Sequence, residues 1–364
     1  MDPQKTFCPN LSCPARGQKG KGNITILSRK EQRYQCRLCG HTFSARTGTP
    51  LYRCHTDLDT VTCILTLVEH GCPIPAIEAA FGFQRRTVRR WLQKAGAHCE
   101  ALHHHLVAKP RDLVQVQADE IRVKMQKMVI WIAMALAVPT RLWLGGVLSA
   151  SRDTGLVRAL MALVHLCAKP GPLLIAVDGF RAYLRAIRTT FRWAVRVHRR
   201  GRPRLLAWAD LVIGQVVKQQ QKRRWIAIER RLIAGTEQAM QRLIAASQQA
   251  GVLNTAFIER LNATFRARLF CLVRKTRCLA RCSGSVHAGL YLIGTLYNFC
   301  RFHDSLTTEE GTPRTPAMAS GITDHCWSVT ELLLYRVPPE PWQPPKKRGR
   351  KSKAVQALIQ RWAT

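Results

Sequence analysis

Carboxylates are scarce in this sequence. Its 364 residues hold 22 Asp and Glu against 57 Lys and Arg, a formal net charge of +35. That imbalance excludes a surface that neutralises itself and calls for a polyanionic partner, nucleic acid first. Long apolar runs are missing too. The longest, MVIWIAMALAV at 128–138, has eleven residues, against the roughly 20 that cross a bilayer. MDPQKTFCPN has no apolar core behind a basic start, so no secretory signal is expected. The fourteen cysteines are therefore expected as free or metal-bound thiols in a reducing compartment. Together these features predict a soluble, cytoplasmic protein without a membrane partner. The length allows two or three domains with one sizeable core.

Texture divides the chain. Residues 1–52 are rich in Cys, Gly and Arg. Residues 56–107 read as helices and residues 112–305 alternate strand and helix patterns. Residues 306–364 read as a helical tail that turns Pro- and Lys-rich at QPPKKRGRKSK before a short terminal helix.

The cysteines of the first segment are spaced for metal. FCPNLSCPARG supplies Cys8 and Cys13, and YQCRLCGHTFS supplies Cys36 and Cys39 in a C-x-x-C knuckle followed by Gly. Four thiolates suit one structural, tetrahedral Zn²⁺, and a segment this short needs such a staple. A redox C-x-x-C would need a surrounding strand–helix unit, which is absent.

CPIPAIEAAFGFQRRTVRRWLQKAG (72–96) has helix-turn-helix spacing. Ile77, Ala80 and Phe81 form one apolar stripe, Gly82 the turn, and Val88, Trp91 and Leu92 begin a second helix. That second helix presents Gln84, Arg85, Arg86, Arg89 and Arg90, a face lacking the mixed signs of an ordinary solvated hairpin. It is expected to bind double-stranded DNA. The HHH at 103–105 is read as linker and given no metal.

The third segment holds the carboxylates that matter most. VQVQADEIRVK alternates like a strand with Asp119 midway. Two more strands follow, then the helix GLVRALMALVHLC, then LLIAVDGF, a wholly apolar strand ending in Asp178. Strand, strand, strand, helix, strand is the ribonuclease H arrangement, in which the first and fourth strands are neighbours. Asp119 and Asp178 would then meet. A charge at the end of a buried strand is costly unless compensated, and a metal ion is the expected compensation. NTAFIERLNATFRARLF reads as a later helix carrying Glu259, with Asn262 and Arg266 on the adjacent face. Between residues 121 and 258 the acids are Asp153, Asp178, Asp210, Glu229 and Glu237, and of these Asp178 alone ends a strong apolar strand. Three convergent carboxylates would hold two Mg²⁺ (or Mn²⁺) ions for work on a phosphodiester. Other readings are open: Asp178 as a turn cap, Glu259 as a first-turn glutamate, and Glu120 in place of Asp119, since alternation sends those two to opposite faces.

These motifs resemble those of DDE transposases of bacterial insertion sequences, most closely the insertion-sequence-one family. QADE, AVDGF and NTAFIERLNATFR match where that family carries its Asp, Asp and Glu, and YLIGTLYNFCRFH and TPAMASGITDHCWSVTELL look like its helical tail. The resemblance covers roughly residues 5 to 345. It implies an α/β, ribonuclease H-like catalytic core behind a zinc ribbon and a helix-turn-helix. It carries over Asp119, Asp178 and Glu259 as metal ligands. It also implies binding of terminal inverted repeats, DNA strand cleavage and strand transfer, and residence on the bacterial nucleoid. Two DNA ends must be brought together, so at least a homodimer is expected. Two rival readings remain: a catalytically inactive DNA-binding repressor, and a nuclease of the same fold that cuts without joining.

One departure stands out. Eighty residues separate Asp178 from Glu259, a longer gap than in the smallest members. A basic insertion at about 198–250, adding a strand pair and a helix, is expected to fill it. Residues 180–234 hold fifteen Lys or Arg against Asp210 and Glu229. RRGRPR (199–204) and KKRGRKSK (346–353) are similar to minor-groove hooks, although general phosphate attraction is the preferred reading; either adds Arg199, Arg200 and Arg202, with Arg266, to the DNA-binding candidates. Trp193, Trp208 and Trp225 are read as core, and Cys271, Cys278 and Cys282 with His287 as thiols without metal.

Overall fold

The computed structural model describes residues 1–196, 201–221, 224–248, 251–273, 279–344 and 351–363. The chain divides into two compact units, one of Met1–Thr56 with Leu333–Thr364 and one of Asp57–Leu332. In the first, strands β1 (Ile24–Ser28), β2 (Arg33–Cys36) and β3 (Thr42–Ser44) form an antiparallel sheet. Tyr34 stacks on Phe43, ring centres 5.7 Å apart. The helix Lys353–Trp362, capped by Ser352, delivers Trp362 into the cluster of Cys8, Cys13, Ile24, Tyr34, Cys36 and Phe43. The residues read as one tail thus part company, with 333–364 closing the small core of the cysteine module. An amphipathic helix ending in Trp has an apolar face to bury, and the module supplies the other half.

The second unit opens with α1 (Leu58–Glu69), α2 (Ile74–Phe81) and α3 (Arg85–Leu106). The Asp57 side chain caps α1 by accepting from the Thr60 N–H at 2.7 Å. Gly82 ends α2 at φ +72°, a left-handed turn that favours glycine. Helix α3 runs on through His103–His105, the stretch expected as linker. The stripe of Val88, Trp91, Leu92, Ala95, Cys99 and Leu102 carries on at helical spacing and is buried throughout.

His103 is fully buried, with its ring 4.8 Å from that of Trp143 and Nε2 at 3.1 Å from the Leu144 carbonyl. Burial, with the nearby charges of His104 and Arg111, pulls its pKa down to about 3. The imidazole is neutral when folded, and an unfolded chain takes its proton near pH 6.5. Stability from this residue is therefore complete above 6.5 and lost as pH falls toward 3, by up to about 1.4 kcal/mol per pH unit. Urea unfolding of wild type and His103→Gln between pH 7 and 4 should show the steeper loss in wild type.

Helix α8 (Ser283–Phe299) packs along α3. A Cβ at Gly96 would fall on the backbone of Ala288, so the two helices touch main chain to main chain. Gly96→Val is expected to cost about 3 kcal/mol by overpacking, read as a lowered Tm.

The sheet of this unit has the order β11-β10-β7-β4-β5-β6. It comprises β4 (Gln115–Lys124), β5 (Val129–Ala137), β6 (Trp143–Ser149), β7 (Leu173–Asp178), β10 (Leu211–Gln221) and β11 (Arg224–Ala234). The first three form an antiparallel meander. β7 joins β4 in parallel after α4 (Thr154–Cys167), so the adjacency expected of the first and fourth strands is present. The fold is mixed α/β. The segment at about 198–250, expected to add a strand pair and a helix, holds β10, β11 and a helix at Glu237–Gln248. β10 pairs in parallel with β7, and β11 pairs antiparallel with β10. They extend the main sheet, because Leu211, Val212, Ile213 and Val216 are buried despite the basic residues around them. α5 (Ala182–Thr190) and the hairpin β8 (Arg192–Val195) with β9 (Arg204–Ala207) lie between β7 and β10 in sequence. α6 (Glu237–Gln248) and α7 (Ala256–Arg268) follow β11. Trp208 is buried against Phe191 and His165, whereas Trp193, read as core, is 46% exposed. The Trp225 side chain lies outside the described residues.

Candidate functional site

Strand alternation builds the cleft. Gln115, Gln117 and Asp119 point to one face of β4, and each meets a helix. Gln115 bonds to Ser247 of α6. Gln117 accepts from the Ile258 N–H at 3.0 Å and donates to the Asn254 carbonyl at 2.8 Å. Asp119 Oδ2 accepts from Asn262 Nδ2 at 2.8 Å. These pegs fix α7 over the sheet and bring Glu259 above the strand ends. The parallel register matches Ala118 to Val177, and one step further sets Asp119 beside Asp178. Glu120, the next residue of β4, is buried.

Asp119, Asp178, Glu259, Arg152, Lys218 and Arg266 line one open cleft of about 760 Å³. Carboxylate oxygens of Asp119 and Asp178, and of the buried Glu120 behind the cleft lining, lie within 4.8 Å of one another. Glu259 stands outside that cluster, held by Lys218 and by the Thr255 hydroxyl, which donates at 2.6 Å. Of the three expected ligands, the fold clusters two and faces the third toward them. Asp178 Oδ1 accepts from the Phe180 N–H at 2.9 Å, the turn contact weighed as its other role. Burial lifts the Asp119 carboxyl to about 6 against the opposing bond from the Glu120 N–H, and the charges of Glu120, Asp178 and Glu259 push the same way as burial. An all-oxygen donor set of this spacing fits a hard divalent cation such as Mg²⁺ or Mn²⁺ between Asp119 and Asp178. A second ion would draw on Glu259.

The cysteine module fits zinc closely. Cys8 Sγ lies 3.7 Å from Cys39 Sγ, and Cys13 Sγ 3.9 Å from Cys36 Sγ. All four sulfurs lie within 4.8 Å of one another. A tetrahedron with Zn–S of about 2.3 Å requires S···S near 3.8 Å. Asn23 and Asn10 point their side-chain amides at Cys36 and Cys39 (3.5 and 3.6 Å), orienting the sulfurs from outside. Burial raises the Cys8 thiol and lifts Cys13 to about 12, so without a cation these thiols stay protonated at neutral pH.

Among the DNA-binding candidates, Gln84, Arg85, Arg86, Arg89 and Arg90 are all exposed on the start of α3, with Arg85 paired to Glu78. Arg202 is exposed before β9 and Arg266 lines the cleft. Arg199, Arg200 and residues 346–350 of the second hook lie outside the described residues, as does Cys278. Cys271 and Cys282 line a separate pocket of about 290 Å³. His287 pairs with Glu100 at 3.0 Å and joins no thiol cluster among the described residues. Arg152 and Lys218 were not singled out from the sequence. SASRDTG and VVKQQQ carry no periodic signal that separates them from other cations.

No family model matches the chain, and no curated protein does. Among solved structures it is similar to a chain of the simian T-cell lymphotropic virus intasome in complex with PP2A regulatory subunit B56 gamma. That likeness has 11% identity over 80% of each chain and a TM-score of 0.30, too low to define a shared fold. No helix among the described residues is long and apolar enough to cross a membrane.

Proposed function

We propose that the chain is a DNA transposase whose 57–332 unit carries a ribonuclease H-like DDE core. One observation carries the reading. Asp119 and Asp178 come together from adjacent parallel strands and line one cleft with Glu259 and Arg266, in a protein of net charge +35. Asp119, Asp178 and Glu259 are the catalytic carboxylates and would hold Mg²⁺ or Mn²⁺. Cations bound there supply Lewis acidity at a scissile phosphodiester. Arg266 and Lys218 bind DNA phosphates at the cleft, which fixes the strand for in-line attack by water or a 3′-hydroxyl. Cys8, Cys13, Cys36 and Cys39 hold structural Zn²⁺. The ribbon and the exposed start of α3 bind the terminal inverted repeats, and two copies act on two ends.

The test is cleavage and joining of labelled duplexes taken from the DNA flanking the reading frame, with Mg²⁺, by wild type and Asp178→Ala. Joined products from wild type alone, with binding retained by both, support the transposase. Cleavage without joining favours the nuclease, and binding without cleavage favours the repressor.

A further inference from the structure

Arg152 stands where a cation is needed. It lies in the turn between β6 and α4, one residue before Asp153, whose carboxylate caps α4 by accepting from the Leu156 N–H. Its Nε and Nη2 both donate to Glu120 Oε2, at 3.0 and 2.8 Å. Nη2 also reaches Asp178 Oδ2 at 3.1 Å. The guanidinium centre sits 4.3 Å from the Phe180 ring and 5.4 Å from that of Trp131. Glu120, whose carboxylate is wholly buried, is a fixed anchor with two bonds. Asp178 receives one.

That single bond has a consequence for ion loading. Asp178 Oδ1 is taken by the Phe180 N–H and Oδ2 by Arg152, so both oxygens of this carboxylate already have donors. Across the cleft, Lys218 holds Glu259 in the same way. Without DNA, two of the proposed ligands are compensated by side chains, and an incoming cation must displace a charge-assisted hydrogen bond to use Asp178 fully. A DNA phosphate changes the balance. It offers the guanidinium another anionic oxygen, and Arg152 needs to give up only its lesser contact to take it.

We propose that Arg152 is a positioning residue that holds Asp178 in the cation-free protein. It releases that carboxylate when a divalent cation and a DNA phosphate arrive together, keeping its grip on Glu120 throughout. The site then loads its cation poorly in the absence of DNA, and DNA and cation raise each other's affinity by one common factor. This rests on the proposed role of Asp178 as a ligand.

The test measures Mn²⁺ binding to the full-length, zinc-loaded protein from the electron paramagnetic resonance of free Mn²⁺, with and without a short duplex, subtracting binding by the duplex alone. Wild type should bind about tenfold more tightly with DNA than without it, the worth of one such hydrogen bond. Arg152→Met should bind about tenfold more tightly than wild type without DNA and gain little from DNA. Arg152→Lys, which keeps a cation at the position, should return toward wild type. Arg152→Met with Glu120→Gln removes the stranded buried charge, so a folded variant is available if the single substitution fails. Equal or weaker Mn²⁺ binding by the Arg152→Met variants overturns the proposal. Asp178→Asn separates the two layers. Binding that survives it defeats the metal reading of the cleft, and this inference with it. Binding that it abolishes but Arg152→Met leaves unchanged defeats the role of Arg152 alone.

Discussion

Asp119→Asn is expected to abolish strand cleavage, by about 10³-fold or more, while raising the thermal stability of the protein. Both effects have one cause. Asp119 is mostly buried, and its carboxyl titrates near 6 because burial disfavours the charged form. Its folded pKa lies above the ordinary value of 3.8, so ionising it costs folding energy. The penalty is absent below pH 4, grows as pH rises through 6 and is then complete, at about 1–3 kcal/mol. Asparagine carries no charge, and its carbonyl can still accept from Asn262. With Mg²⁺ omitted at pH 8 the variant should melt above wild type, and the gap should close toward pH 4. The same variant should retain DNA binding and lose cleavage when Mg²⁺ is restored. A drop in both stability and activity would make Asp119 a structural residue.

Cys36→Ser is expected to unfold the cysteine module. Cys36 ends β2, is wholly buried and belongs both to the four-sulfur cluster and to the core around Tyr34 and Phe43. Structural zinc of this kind supplies about 10–16 kcal/mol of folding free energy, far more than so small a core can replace. Zinc content should fall from one per chain to near zero, and amide protons of β1 to β3 should exchange freely. Loading the wild-type apoprotein should release protons, because burial keeps the Cys8 and Cys13 thiols protonated before the ion arrives. Full zinc occupancy in the variant would contradict this assignment.

The unequal legibility of these sites has physical causes. Cys8, Cys13, Cys36 and Cys39 were readable because metal spacing is local. Asp178 was readable because a carboxylate ending a wholly apolar strand is a rare local pattern. The neighbourhood of β4 and β7 followed from element order. Lys218 could not be seen, since its pairing with Glu259 depends on β10 joining the main sheet, and a basic segment hides its buried Leu211, Val212 and Ile213. His103 was misread because three histidines resemble a polar linker, whereas the apolar stripe behind them continues the helix. Arg152 carries no pattern at all. Its partners come from two strands that meet only in the folded sheet.

Trp362 has a consequence for the order of synthesis. The cysteine module is translated before the 57–332 unit, yet its core takes a residue made more than three hundred codons later. Domains generally fold as units, amino-terminal parts first, and here the first unit must wait. Zinc can gather the four cysteines early, but the apolar surface around Tyr34 and Phe43 stays uncovered until the terminal helix is translated. A nascent chain stopped at residue 332 would hold the whole 57–332 unit and an unfinished cysteine module.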